Sequence, residues 1–266
     1  MAPHERWNSL LEIVARDGSL EVERAAAELG VSTATIRRDL DHLAQQQMLT
    51  RTRGGAMANS VSYDLPLRYK SARRATEKER IARAAAALIP PGSIVGLNGG
   101  TTTTEVARAL ATRAGMQHNG NGRNGDGPSL TVVTNALNIA NELIVRRHVK
   151  IVVTGGVARP QSYELIGPLA TTLLGELTLD QLCLGVDAIS VSHGATAYNE
   201  GEASINQLMV TRAREVIVVA DSSKLDRHAF ARICPIDKVD VLVTDSAADE
   251  RVTAPFAEAG VRVIRA

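Results

Sequence analysis

Residues 31–43 read Val-Ser-Thr-Ala-Thr-Ile-Arg-Arg-Asp-Leu-Asp-His-Leu, and their spacing decides how the first part of the chain folds. Ile36, Leu40 and Leu43 recur at i, i+4 and i+7, which is one stripe of a helix. Ser32 precedes the stripe as an N-cap, because its hydroxyl can accept an orphan amide proton. Ala34, Thr35, Arg38 and Asp41 fall on the outer face, with Arg37 on a flank. Upstream, Val22, Ala25, Ala26 and Leu29 predict a short helix that ends at Gly30, where a left-handed turn residue is needed. Leu10, Leu11 and Val14 predict another helix before it. A capped helix after a short turn, with small residues and arginines facing out, suits the major groove of DNA. An arginine there makes a forked contact to guanine or bonds to phosphate.

Residues 48–56, Met-Leu-Thr-Arg-Thr-Arg-Gly-Gly-Ala, alternate and close on a glycine pair. They predict a short β-ribbon, or wing, whose Arg51 and Arg53 contact backbone phosphate. The expected DNA-binding residues are therefore Ser32, Thr33, Thr35, Arg37, Arg38, Arg51 and Arg53. Charge alone does not select this reading: residues 1–58 hold seven Arg against eight Asp and Glu. Helix–turn–helix units also occur in proteins that never touch DNA, with Arg37 and Arg38 then a solvated face. Four of the arginines nevertheless fall in one helix-plus-ribbon unit, and a local patch is what DNA binding requires.

The whole chain has 266 residues, which at roughly 150 per domain indicates about two domains. Hydrophobic residues make up 44%, enough for a sizeable core, and the net charge is +1, which excludes a uniformly basic coat. Aromatics at 3% argue against a single-strand binder built on base stacking. Cys183 and Cys234 are too few for a disulfide framework and read as reduced, buried thiols. No apolar run approaches a membrane span and the first residues are charged throughout, so a cytoplasmic protein is expected. The six histidines show no paired ligand spacing, and no metal or cofactor is expected.

The predicted domains are 1–58, a basic linker and helix entry over 59–80, and 81–266. The linker carries Arg68, Lys70, Arg73, Arg74, Lys78 and Arg80 against three acids, with a helix starting near Glu77. Beyond Ile81, short β-branched runs appear at Ile94–Leu97, Leu130–Val133, Ile151–Val153, Val216–Ala220, Val239–Val243 and Val261–Ile264. Helix-length stretches such as Thr104–Ala114, Ala136–Arg146 and Glu202–Arg214 separate them. That alternation predicts a Rossmann-like α/β domain with a mainly parallel sheet. The Gly- and Asn-rich stretch Met116–Ser129 reads as a mobile surface insertion.

Ligands of such sheets bind at the carboxyl ends of strands. Four turns there nominate one site: Asn98-Gly99-Gly100, Thr134-Asn135, Thr154-Gly155-Gly156 and Asp221-Ser222-Ser223. Gly100, Thr101, Thr102 and Thr103 offer amides, hydroxyls and a helix N-terminus to an anion, and Lys224 adds a point charge suited to phosphate. Thr134, Asn135 and Gly156 are expected to border a sugar, and Asn98 to take one of its hydroxyls. The bland alternative is a capped helix and a surface lysine.

Val31-Ser32-Thr33-Ala34-Thr35-Ile36-Arg37-Arg38-Asp39-Leu40, followed by Arg53-Gly54-Gly55-Ala56, resembles the winged helix of DeoR-type bacterial transcriptional regulators. The resemblance continues through Gly100–Thr103, Val133-Thr134-Asn135, Gly155-Gly156 and Ala220–Lys224 to nearly the whole chain. It implies a winged helix–turn–helix followed by a sensor domain similar in fold to ribose-phosphate isomerases, with phosphorylated sugars as usual effectors. It implies a regulator, commonly a repressor, of carbohydrate metabolism genes. Its partners would be a double-stranded DNA operator and a second copy of the chain, as dimer or tetramer. Two positions depart from the family: Asn98 stands where many members have Asp, and no Lys lies near Asn206. The alternative is a sugar-phosphate isomerase or deaminase with an appended DNA-binding-like domain. It would need a base and an enediolate stabiliser. Residues 194–206 contain no Lys, leaving Asp187, Glu200 and Glu202 as the available bases, so no catalytic residue is assigned.

Overall fold

The computed structural model describes residues 2–46, 48–57, 67, 74–120 and 129–266. It divides into two compact units, residues 1–65 and 66–266. Most of the linker lies outside the described residues, including Arg68, Lys70 and Arg73, as do residues 121–128 of the Gly/Asn-rich stretch.

In the first unit, helices α1 (Pro3–Asp17), α2 (Val22–Leu29) and α3 (Thr33–Gln45) pack around Leu10, Leu11, Val14, Ala25, Ile36, Leu40 and Leu43, all buried. Gly30 ends α2 at φ 64°, and Ser32 caps α3 by accepting from the Thr35 amide at 3.2 Å. A three-stranded sheet completes the unit. Its strands β1 (Ser19–Glu21), β2 (Thr50–Arg51) and β3 (Gly55–Met57) are antiparallel, with β3 in the middle. The predicted ribbon is β2 and β3; the third strand, β1, is an addition.

In the second unit, α4 (Ala75–Ala87) leads into β4 (Ile94–Leu97), α5 (Thr101–Gly120), β5 (Leu130–Thr134), α6 (Leu137–Leu143) and β6 (Val149–Val153). A short hairpin follows, β7 (Val157–Ala158) with β8 (Leu165–Ile166), and then α7 (Pro168–Gly175). The chain continues as β9 (Leu179–Gly185), β10 (Ala188–Ser190), β11 (Gly194–Ala197), α8 (Glu200–Arg212) and β12 (Ala213–Val219). It ends with β13 (Ala231–Cys234), β14 (Val241–Thr244), α9 (Glu250–Glu258) and β15 (Arg262–Arg265). Seven strands form one sheet in the order β15-β14-β12-β9-β4-β5-β6, and every pairing in it is parallel. Strands β10, β11 and β13 make a separate small sheet.

Two apolar clusters cover the two faces of the large sheet. One is built on Ile81, Ala85, Val106, Leu110 and Ile139, the other on Leu174, Ile205, Met209 and Phe256. Cys183 and Cys234 are buried and unpaired, and burial pushes their thiols up to about 12 and about 11, so both stay protonated. Helix α5 runs past the predicted end at Ala114 and enters the Gly/Asn-rich stretch as far as Gly120. Strand β9, the neighbour of both β4 and β12, has no counterpart among the predicted strands. No described helix is long and apolar enough to cross a membrane.

The strand order fixes where a ligand belongs. From β4 the chain winds outward through β5 and β6, then returns to the other side of β4 with β9 and winds the opposite way through β12, β14 and β15. The reversal lies between β4 and β9, and the crevice outside the carboxyl ends at such a reversal is the usual binding position.

Candidate functional site

In the first unit, α3 turns its buried stripe inward and leaves Ala34, Arg37, Arg38 and Asp41 exposed, with Thr33 and Thr35 half-buried. Ser32 and Thr35 also share a hydroxyl contact of 2.9 Å, which fixes the first turn of α3. Arg53 is exposed at the tip of the wing. Arg37, Arg38 and Arg53 form no ion pair among the described residues, so their charge faces solvent. Arg51 differs. Its guanidinium pairs with Asp41 at 2.8 Å and also donates to the Gly55 carbonyl, which ties the wing to α3.

The residue that sequence reading passed over is Asp39. It is 6% exposed and accepts from Arg6 Nε at 2.5 Å, Arg6 Nη2 at 3.1 Å and Trp7 Nε1 at 2.7 Å. The hydrogen bond that Arg6 donates to Asp39 raises the pKa of the guanidinium above its ordinary value. Trp7 also stacks on His42 with centroids 4.2 Å apart. Together these contacts set the orientation of α3 against α1.

In the second unit the nominated turns converge at the β4/β9 reversal. Asn98, at the end of β4, donates from Nδ2 to the Gly185 carbonyl at 2.9 Å and accepts the Gly185 amide at Oδ1 at 2.7 Å. The amide expected to take an effector hydroxyl is thus engaged in joining β4 to β9. Gly100, Thr101, Thr102 and Thr103 open α5 as expected. Thr103 Oγ1 donates to the Gly100 carbonyl at 3.1 Å and Thr104 Oγ1 to the same atom at 2.7 Å. Thr102 is 2% exposed, and its hydroxyl has no hydrogen-bond partner among the described residues. A buried hydroxyl left this way costs free energy unless something completes it.

Asp221 ends the β12 side of the crevice and caps the turn Ser222–Lys224 by accepting from the Ser223 amide at 3.1 Å. Asp245, at the end of β14, accepts the Ser222 amide at 2.6 Å. Lys224 Nζ reaches back to the carbonyl of Val186, just beyond β9, at 2.5 Å. The turn also has a partner not foreseen as a site residue: Arg74, which donates to Ser222 Oγ at 3.0 Å and lies 3.8 Å from Asp221. Burial opposes ionisation of Asp221, but Lys224, the Ser223 hydrogen bonds and Arg74 outweigh it and hold its carboxyl below the usual range.

Thr134 Oγ1 accepts the Ala136 amide at 3.0 Å, closing the turn after β5. Asn135 is fully buried and donates to Glu164 Oε2 at 2.9 Å. Gly156 lies against Ala170 and Ile166, where there is no room for a side chain. Glu164, from the β7–β8 hairpin, was not foreseen, and neither was Arg159, which pairs with Glu202 of α8 at 2.9 Å. Burial, then Glu202 and Asp187, push the Glu164 carboxyl up to about 8, against the pull of Asn135 and Arg159. The fold therefore favours its protonated form. Among the described residues, no group of three metal-ligating side chains comes together.

Residues 6–62 match the DeoR-like helix-turn-helix domain, and residues 73–246 the DeoR C terminal sensor domain. The chain is 33% identical to the glycerol-3-phosphate regulon repressor of Escherichia coli (strain K12) over 92% of both chains. It is 34% identical to the HTH-type transcriptional regulator GlpR of Haloferax volcanii, over 99% of this chain and 98% of that protein. Among solved structures it is similar to ribose 5-phosphate isomerase A of Methanocaldococcus jannaschii, at 17% identity and a TM-score of 0.40, covering 55% of this chain and 52% of that one.

Proposed function

Since the chain belongs to the DeoR family of transcriptional regulators, we propose that it represses carbohydrate-metabolism genes from a duplex operator and is controlled by a phosphorylated sugar or related metabolite. Regulation rather than catalysis is what the family does, so the isomerase or deaminase alternative falls away. In this reading α3 enters the major groove, with Ser32, Thr33, Thr35, Arg37 and Arg38 toward the DNA and Arg53 on phosphate. Arg51 contributes through the wing it braces against Asp41. A single winged helix covers too few base pairs for high specificity, so the operator-bound species is an oligomer, dimer or tetramer, acting in the cytoplasm.

The observation that carries the effector half is the buried Thr102 hydroxyl, unpaired at the N-terminus of a twenty-residue helix that opens at the sheet's reversal point. Backbone amides, that hydroxyl and the nearby positive dipole end of α5 together suit a phosphate. Lys224 and Arg74 supply cationic groups from the β12 side.

An effector shifts operator affinity only through its preference for one conformation, and couplings of about 1–3 kcal/mol, or 5–150-fold, are typical. Titration of the full chain with sugar phosphates, reading operator affinity and product formation, tests this. A shift of that size is expected in the wild type. Lys224→Ala should lose the response while binding operator normally without effector. A retained response in Lys224→Ala removes the phosphate site, and steady turnover by the wild type removes the regulator reading.

A further inference from the structure

Two strands bound the large sheet, β15 on one side and β6 on the other, and they are built differently. Strand β15 reads Arg-Val-Ile-Arg, with Arg262 and Arg265 exposed at its two ends. Charges placed so are one way an edge strand is kept from pairing with another chain. Strand β6 reads Val-Lys-Ile-Val-Val, four β-branched residues around one Lys. Among the described residues no strand pairs with its outer side. Thr154 donates its amide to the Thr134 carbonyl on β5 at 3.1 Å. Backbone groups alternate sides along a strand, so Lys150 and Val152 also turn theirs to β5, and Ile151 and Val153 turn theirs outward. The β7–β8 hairpin folds back over the carboxyl ends rather than along this edge: Glu164 lies against Gly99 and Arg159 pairs with Glu202.

The side chains beside this edge are apolar on both faces of the sheet. On one face Ile144 and Val145 follow α6, whose Ile139 and Leu143 share a core cluster with Val149. On the other, Leu169 and Leu173 lie one turn apart on α7, whose Ala170 and Leu174 belong to the second cluster, against which Val152 packs. Val153 and Val157 lie between them, because a Cβ on Gly156 would be 2.9 Å from Ala170. Of the ten exposed large hydrophobic residues among those described, these six gather round β6, at 36% to 73% exposure. Single exposed apolar residues need no explanation, whereas a patch beside an unpaired strand marks a contact surface.

We propose that β6 pairs antiparallel with β6 of a second copy of the chain, about a two-fold axis normal to the sheet. The proposal rests on the oligomer reading above and gives it a surface. Such an axis keeps each face on its own side, so α6 meets its equivalent and α7 meets its own. Apolar surface then covers apolar surface twice over, the self-complementarity that a two-fold contact demands. The six side chains expose on the order of 600 Å², and with the strand edge added they approach the roughly 800 Å² per partner of a stable interface. Lys150 is the one charge on the strand, and its long stem carries the ammonium past the seam into solvent.

The test is sedimentation velocity on the full chain at micromolar concentration, with circular dichroism to confirm the fold. The wild type should run as a dimer or tetramer. Leu169→Glu and Ile144→Glu, both at positions exposed in the protomer, should each lower the assembly one step, with a dissociation constant raised about tenfold or more. Val153→Pro removes an outward N–H that the sheet of the protomer does not use, so it should break the pairing and leave the protomer folded. Val157→Glu replaces it if it does not fold. Under mild oxidation Ile151→Cys or Val152→Cys should give a disulfide-linked dimer, since one of the two lies nearest the axis. Val263→Cys, on β15, should not.

A monomeric wild type overturns this interface and the oligomer reading together. Assembly unchanged in the glutamate and proline variants, or cross-linking at Val263→Cys as strong as on β6, overturns the β6 interface and leaves the oligomer standing.

Discussion

In the N-terminal unit three of the arginines offered to DNA, Arg37, Arg38 and Arg53, stand in solvent, while one buried carboxylate, Asp39, holds the scaffold through Arg6 and Trp7. The sensor unit inverts that arrangement. There, buried polar atoms without a hydrogen-bond partner among the described residues include those of Thr102 and Asn135, just beyond the ends of β4 and β5, and of Asn206 within α8. The difference follows from the ligand. A duplex is a large polyanion met at a surface, where long-range attraction and solvent-facing arginines suffice. A small metabolite must be enclosed, and selectivity then comes from polar groups that only the right molecule can satisfy.

The sharpest break in the comparison comes from Asp39. Asp39→Ala leaves Arg6 and the Trp7 N–H without their acceptor, and losing one partner of a buried pair typically costs about 3–5 kcal/mol. Trp7 is the sole tryptophan, so its fluorescence reports the N-terminal unit in the full chain. The denaturant midpoint read that way should fall steeply; an unchanged midpoint would show that Asp39 is not the brace.

Glu164 tests the buried side of the contrast. Its native pKa, about 8, lies above the ordinary 4.5, so the protonated form is the one the fold favours. The associated stability is complete below pH 4.5 and is lost as pH rises through about 8, on the order of a few kcal/mol in all. Glu164→Gln, with no proton to lose, should unfold at a midpoint that gains on the wild type between pH 4.5 and 8 and then runs parallel. Parallel curves over the whole range would count against the buried acid.

The exposed arginines should show smaller and purely functional effects. Arg38→Ala should weaken operator binding by about 1–3 kcal/mol if the side chain reads a base, with little loss for random duplex. Gel-shift titrations on both duplexes decide it, and equal losses would move Arg38 to the phosphate class. Arg53→Ala should weaken both duplexes alike and reduce the salt slope by about one. A salt slope that does not change would take the wing tip off the DNA.

The same contrast explains what the sequence made legible. Ser32, Gly30 and the Ile36–Leu40–Leu43 stripe are local signals, each interpretable within one turn of chain, and α2 and α3 begin where those signals place them. The parallel sheet was legible from its β-branched runs. Strand β9 was not: Leu-Asp-Gln-Leu-Cys-Leu-Gly has no β-branched residue and carries Asp180 and Gln181 where a buried strand is expected to be apolar. The strand-end turns marked the crevice, but not which side chain meets which. Asn98 finds its partner, Gly185, 87 positions away. Glu164 comes from a hairpin with two-residue strands, too short to carry a period, and its contacts with Asn135 and Gly99 arise only once the sheet is assembled.

Helix α8 passes into β12 with no residue between them: Arg212 closes the helix and Ala213 is already extended at φ −94° and ψ 144°. The segment from Asn206 to Val219 is therefore a single ruler of fixed length, with no loop in which an added or deleted residue could be hidden. One inserted residue after Arg212 would either rotate Glu202 and Asn206 by about 100° around the helix axis or shift β12 by one pleat, turning its side chains to the opposite face. Among relatives that sense through this crevice, length variation should collect elsewhere along the chain, and the spacing between these two positions should stay constant.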